Sequence, residues 1–200
     1  TFAAGQVGQG FSFDGNDDQI RIAHNANQNV GTNFTVGAWI NPTTLGHGRS
    51  IAQKRTNGNV GGYAFETVDS PFGPSGSMHF AIMIGGTYRF ANTPGNVLQT
   101  GVWQHVAATY DGAFIKIYVN GIEQASTAQT GAVDPSTEPV VVGRNVSNPS
   151  FSFHGGIDEL QFFGRALTGA EIAAINGAGA GGNCGGCASP PPGKIAWWRG

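Results

Sequence analysis

Two dipeptides, Asp111-Gly112 and Asn120-Gly121, separate three runs of alternating apolar residues and narrow what this chain can become. Both favour the left-handed backbone of a tight two-residue turn, so VWQHVAATY, FIKIYV and IEQAS read as consecutive antiparallel strands. Ile115, Ile117 and Val119 then share one face, and Phe114, Lys116 and Tyr118 the other.

The same pattern recurs along the chain. Residues 11–22, FSFDGNDDQIRI, read as a strand, an Asp-rich turn and a strand. Residues 34–41 place Phe34, Val36, Ala38 and Ile40 on one face and Trp39 on the other. Further strands are predicted at 50–54 and 62–68, with an Asn-Gly-Asn turn at 57–59 between them. Residues 69–77 are rich in Pro, Gly and Ser and read as a surface loop. MHFAIMI (78–84) turns at Gly85-Gly86 into TYRFAN (87–92), and later strands are expected at 140–143 and 155–164. Only one helix is convincing: Thr168 and Glu171 form a capping box, which predicts a helix over 169–176. Thirty-three glycines and only 11% charged residues suit short strands and tight turns. About a dozen such strands form a single all-β sandwich.

Net charge is −2 with the charges scattered singly, which leaves no basic stripe for nucleic acid. The apolar runs are too short to cross a membrane. Thr1 stands in place of an initiator Met and no secretory leader is visible, so the sequence reads as an excised piece. Residues 177–193 change to Gly and Ala and then Ser-Pro-Pro-Pro, a flexible and then stiffened linker. The domain is therefore expected over 1–176. Residues 194–200 read either as the first strand of a following repeat or as a strand that folds back to complete this domain. Cys184 and Cys187 lie in the linker, where one pair is too few for a tetrahedral zinc site and a local disulfide is the better reading.

Four ordered pieces, FSFDGNDDQIRI, FTVGAWINP, WQHVAATYDG with IKIYVNG, and GGIDELQFFGRALTGAEIAAI, resemble the laminin-G-like, concanavalin A-like lectin/glucanase family. The resemblance spans about 11–176. It implies a two-sheet antiparallel jelly-roll sandwich with one short C-terminal helix. GKIAWWRG (193–200) is similar to the strand that opens a unit of this family, which motivates the two readings of the C-terminal segment.

Asp14, Asp17 and Asp18 crowd three carboxylates into one turn. Turn acids are common without a ligand, but hard oxygens this close suit Ca²⁺. The family resemblance implies a Ca²⁺ ion joining Asp14 to Asp158, with acids at the place of Asp17 and Asp18 used in pentraxin relatives. Phe72, Tyr88 and Trp103 are the aromatic candidates for stacking on a sugar, with Phe90 beside them. Trp39 and Trp103 sit within alternating strands, where packing is the commoner role. His105 reads as a strand-paired residue, while His24, His47, His79 and His154 lack metal-ligand spacing. Asn33-Phe-Thr and Asn145-Val-Ser are formal glycosylation sequons.

A retaining glycosidase needs two carboxyl groups about 5 Å apart. The five Glu are too dispersed to supply the pair, and Asp158 and Glu159, adjacent in a strand, face opposite sides. The expected function is a calcium-stabilised, lectin-like module of a secreted or cell-surface protein, not an enzyme. Its partners are a glycan or glycoprotein and neighbouring repeats of the same chain. The alternatives are an adhesive spacer that binds no sugar and an accessory domain of a larger glycosidase.

Overall fold

The alternating runs become strands in a computed structural model that describes residues 1–56, 61–71, 73–181 and 191–198. In chain order these are β1 (Phe2–Ala4), β2 (Gln9–Asp14), β3 (Ile20–Ile22), β4 (Phe34–Pro42), β5 (Ser50–Lys54), β6 (Tyr63–Val68) and β7 (Ser77–Ile84). There follow β8 (Thr87–Asn92), β9 (Gln104–Tyr110), β10 (Phe114–Val119), β11 (Ile122–Ala128), β12 (Val140–Val142), β13 (His154–Phe163), helix α1 (Gly169–Ala178) and β14 (Lys194–Trp198). One sheet runs β1-β2-β13-β4-β9-β10-β11, with β14 also on β13; the other runs β3-β12-β5-β6-β7-β8. The two antiparallel sheets stack as a jelly-roll sandwich.

Strand alternation fills the space between the sheets. Phe34, Val36, Ala38 and Ile40 from β4 meet Ile115, Ile117 and Val119 from β10 in one core. The opposing sheet contributes Tyr63 and Phe65 from β6 and Met78, Phe80 and Ile82 from β7. The Asn120-Gly121 turn has positive φ at both residues, 49° and 80°, which matches the right-handed twist of the strands it joins. Phe2–Ala4 gives no alternation signal from sequence because this three-residue edge strand is exposed throughout.

The helix begins at the expected capping box. Thr168 Oγ1 accepts the Glu171 amide at 3.2 Å, and the Glu171 carboxylate accepts the Thr168 amide at 2.9 Å. Arg165 grips the same carboxylate, and with the cap it holds that carboxyl down to about 2. Ile172 and Ile175 pack with Ala107, Tyr118, Phe163 and Leu167 in a second apolar cluster. The helix runs to Ala178, two residues further than the apolar pattern alone predicts, and a single 3₁₀ turn follows at Gly179–Gly181.

β13 carries neighbours on both edges. One edge pairs with β4; the other pairs with β2 at His154–Ile157 and with β14 at Leu160–Phe163. Between these stretches the pairing with β4 is bulged, and Glu159 takes a φ of 51°. Ala196 and Trp198 of β14 pack against the core, with the Trp198 ring edge-on to Phe162 at 5.8 Å. The Trp197 indole donates to Glu159 at 2.8 Å, and Lys194 Nζ lies 4.3 Å from the Trp197 ring centre. Removing residues from 191 onward exposes this edge and lowers the melting temperature by roughly 5 °C or more. Calorimetry on the shortened chain checks this, and an unchanged melting temperature would show that β14 contributes nothing.

Candidate functional site

The register of the six-stranded sheet decides which side chains meet outside the core. Glu66 of β6 lies opposite His79 of β7, which lies opposite Asn92 of β8. Phe65, Phe80 and Ala91 belong to the core, so this neighbouring row points outward. There it borders a cavity of about 340 Å³. The sheet supplies Glu66, His79, Tyr88 and Phe90 to the lining; Arg55 follows directly on the end of β5, and loops supply His47, Asn145, Asn148 and Phe151.

The floor is a hydrogen-bonded polar network. Arg55 pairs with Glu66 at 3.3 Å, with both side chains almost fully buried, and Asn145 Nδ2 donates to the same carboxylate at 3.2 Å. Burial raises the Glu66 carboxyl, with the Arg55 guanidinium pulling the other way. Arg55 reaches the Tyr88 hydroxyl at 3.4 Å, and that hydroxyl lies 2.9 Å from His79 Nε2. His79 Nδ1 sits 2.6 Å from Asn92 Oδ1, an acceptor, so Nδ1 carries the proton and Nε2 accepts from Tyr88. Burial pushes the His79 imidazole down to about 4 and the Tyr88 phenol up to about 12, so both are neutral at pH 7.

Beside this floor stands an aromatic surface. The rings of His79, Tyr88 and Phe90 lie 5.2 to 6.0 Å apart, and Phe90 is 47% exposed. Across the cavity His47 meets Phe151 edge-on at 5.0 Å. Asn145 shapes the rim as well as the floor: its Oδ1 accepts the amides of Ser147 and Asn148, and its Nδ2 also donates to the Gly48 carbonyl. Arg49 holds the end of the same loop through the Ser150 and Ser152 carbonyls.

Of the aromatic candidates read from sequence, Tyr88 and Phe90 line this cavity. Trp103 does not: its ring lies against Gly156 of β13, in the other sheet. Phe72, Cys184 and Cys187, with the turn at 57–59, lie outside the described residues. Trp39 packs edge-on against His105 at 5.4 Å. Asn145, a sequon residue, is 3% exposed with its nitrogen committed inside the site.

The acidic residues divide into two places. Asp14, Asp17 and Asp18 bring carboxylate oxygens within 4.8 Å of one another on an exposed turn. The turn uses some of these oxygens itself, since Asp14 accepts the Asn16 amide and Asp18 accepts the Asp14 amide. Asp158 is not with them, which corrects the expected pairing with Asp14. The register sets Asp14 opposite His154, four residues before Asp158, or about 13 Å along the strand. The buried Asp158 carboxylate instead accepts the Val7 and Glu159 amides, each at 2.8 Å.

A model of the concanavalin A-like lectin/glucanases superfamily matches residues 14–173. The chain belongs to this family. Domain 4 of AbnA, a GH43 extracellular arabinanase of Geobacillus stearothermophilus solved with arabinotriose, superposes with a TM-score of 0.67 at 21% identity, covering 86% of this chain and 78% of that one. The CBM40 domain of the Ruminococcus gnavus IT-sialidase, bound to α2,3 sialyllactose, gives 0.62 at 16% identity over 80% and 97%. Laminin α1 domains LG4-5 of mouse give 0.56 at 18% over 80% and 43%. Mouse pappalysin-1 is 35% identical over 77 residues, 36% of this chain, and the match spans 5% of that protein. No helix among the described residues is long and apolar enough to cross a membrane.

The buried imidazoles set a pH response. Burial depresses His79 and His105 from 6.5 to about 4 each. Unfolding therefore takes up protons between those values, so this stability is complete above about pH 6.5 and lost as pH falls toward 4. The raised Glu66 carboxyl acts in the opposite sense. Denaturant unfolding at pH 7, 5.5 and 4.5 should show stability falling with pH, with a shallower fall in His105→Gln.

Proposed function

We propose that the cavity outside the six-stranded sheet binds a neutral sugar unit of a glycan or glycoprotein, and that the chain is a binding module of a secreted or cell-surface protein. One juxtaposition carries this reading: the aromatic surface of half-buried Tyr88 and exposed Phe90 stands beside the Arg55–Glu66–Asn145 floor. A sugar ring presents both an apolar C–H face and hydroxyl groups, and the cavity offers a counterpart to each. Arabinotriose on AbnA domain 4 and sialyllactose on the CBM40 domain support a glycan as the ligand class.

The electrostatics favour the neutral member of that pair. Among the described lining residues Arg55 is the Lys or Arg cation and is already committed to Glu66, while His79 is held uncharged. A sialic acid carboxylate entering here would find no uncommitted guanidinium to offset its desolvation. Binding rather than hydrolysis fits the same inventory. Glu66 is the carboxylate among the described lining residues, pinned in its ion pair, whereas glycosidic cleavage uses two carboxyl groups.

Calcium enters this reading at the exposed turn, where Asp14, Asp17 and Asp18 provide hard oxygen donors and an ion would relieve their mutual repulsion. None of the three lines the cavity. The proposed role is therefore stabilisation of the turn.

On a glycan array, binding to neutral oligosaccharides such as arabinotriose should exceed binding to sialyllactose. Phe90→Ala should weaken the bound glycan about tenfold while the melting temperature stays within a degree or two. Equal binding by this folded variant would move the site elsewhere. For the metal, Ca²⁺ should raise the melting temperature of the parent chain, and Asp17→Asn should abolish the rise. Asp158→Ala should cost about 2 kcal/mol equally in Ca²⁺ and in chelator, because its oxygens serve amides.

A further inference from the structure

We propose a second ligand site, between the two sheets, that takes a neutral molecule of monosaccharide size with a hydroxyl for Tyr63 and an apolar face for Trp198. The site is a cavity of about 200 Å³ at the edge where β14 lies on β13. Among the described residues it shares no lining with the cavity outside the six-stranded sheet, and its assignment does not depend on what that cavity binds.

Tyr63 marks the position. Its ring is packed between Phe34 at 5.1 Å and Phe162 at 5.9 Å, the residue is 2% exposed, and its hydroxyl has no hydrogen-bond partner among the described residues. Burial also pushes its phenol far above the usual range, so the group is a neutral donor and acceptor at every physiological pH. A buried hydroxyl left without a partner is uncommon and costly. Here it belongs to a residue lining a cavity, so a ligand oxygen can complete it.

The remaining lining defines the ligand chemistry. Asn25, Asn27 and Gln28 bring carboxamides to the cavity, but the turn that holds them uses part of this capacity. Asn25 Oδ1 accepts the Asn27 amide, and both ends of the Gln28 carboxamide are bonded, to the Asn25 amide and the Ala23 carbonyl. Among the described residues, Asn25 Nδ2 and the Asn27 carboxamide are left to meet hydroxyl groups. Val140, Phe162, Ile195, Ala196 and Trp198 complete an apolar wall. No charged side chain is among the described lining residues, so an ionic ligand would lose its hydration uncompensated. At about 30 Å³ per liquid water the volume corresponds to roughly six or seven waters, the scale of one sugar ring.

The position couples the site to the strand. Ile195, Ala196 and Trp198 all belong to β14, so the cavity is complete only when that strand is docked. A ligand bound there stabilises the docked strand by mass action.

The test is an NMR titration of the whole chain with methyl β-D-xylopyranoside at millimolar concentrations. We expect shifts of the Asn27 carboxamide and the Trp198 indole, and slower hydrogen exchange in 194–198. Tyr63→Phe should weaken this binding about fivefold and raise the melting temperature of the ligand-free chain, since it deletes an unpaired group. Asn27→Ala, at an exposed turn position, should weaken it too, and Phe90→Ala should leave it unchanged. Shifts confined to the surroundings of Tyr88 and Phe90, or no shifts at all, would overturn the second site while leaving the first reading to its own test. Unaltered affinity in Tyr63→Phe, or a melting temperature lowered by that change, would overturn it equally.

Discussion

The burial of one face of each sheet against the other is the constraint on which the rest of this molecule depends. Side chains alternate with a period of two, so a slip of one residue would turn every core side chain outward. Phe65, Phe80 and Ala91 fix the pairing of β6, β7 and β8 from inside. The outward row of Glu66, His79 and Asn92 is the necessary counterpart of that packing. Polar chemistry is thus carried on the back of the core. Its residues must satisfy one another, because Arg55, Glu66 and His79 are themselves nearly buried and an unpaired charge there would be severely destabilising.

β13 is the second organising element. It meets β2, β14 and β4 within ten residues, and its bulge at Glu159 separates the stretch paired with β2 from the stretch paired with β14. The two acids at that bulge serve opposite ends of the chain. Asp158 accepts the Val7 amide from the turn between β1 and β2, and Glu159 accepts the Trp197 indole from β14. The Gly5 and Gly10 positions make room for the first of these contacts, since a Cβ at Gly5 would lie 2.6 Å from the Asp158 carboxylate.

Sequence alone revealed the family and the sandwich because both rest on local signals. Alternation in FTVGAWIN, the Asn-Gly turn and the Thr168–Glu171 capping box each involve residues close in the chain. The cavity was only half legible. Tyr88 and Phe90 stood out as aromatics beside a turn. Glu66 stood only as one of five dispersed Glu, and His79 as a histidine without metal-ligand spacing. Asn145 reaches Glu66 from a loop 79 residues further along the chain, a meeting that no local pattern encodes. Asp158 illustrates the converse. Its residue type and motif were those of a metal ligand, but register along β13 placed it four residues from the position opposite Asp14. Trp103 likewise has the composition of a sugar platform and the location of a packing residue.

Asn145 has a practical consequence for producing the protein. Its side chain closes the floor of the cavity and orders the rim, yet Asn145-Val-Ser is an acceptor sequence for N-linked glycans. In a eukaryotic secretory host the transferase meets the nascent chain before the sheet forms. A glycan attached there could not be accommodated at a position 3% exposed, and Glu66 would lose its amide donor. Material from such a host would carry a malformed cavity, whereas a bacterial host leaves the asparagine bare and the pocket whole.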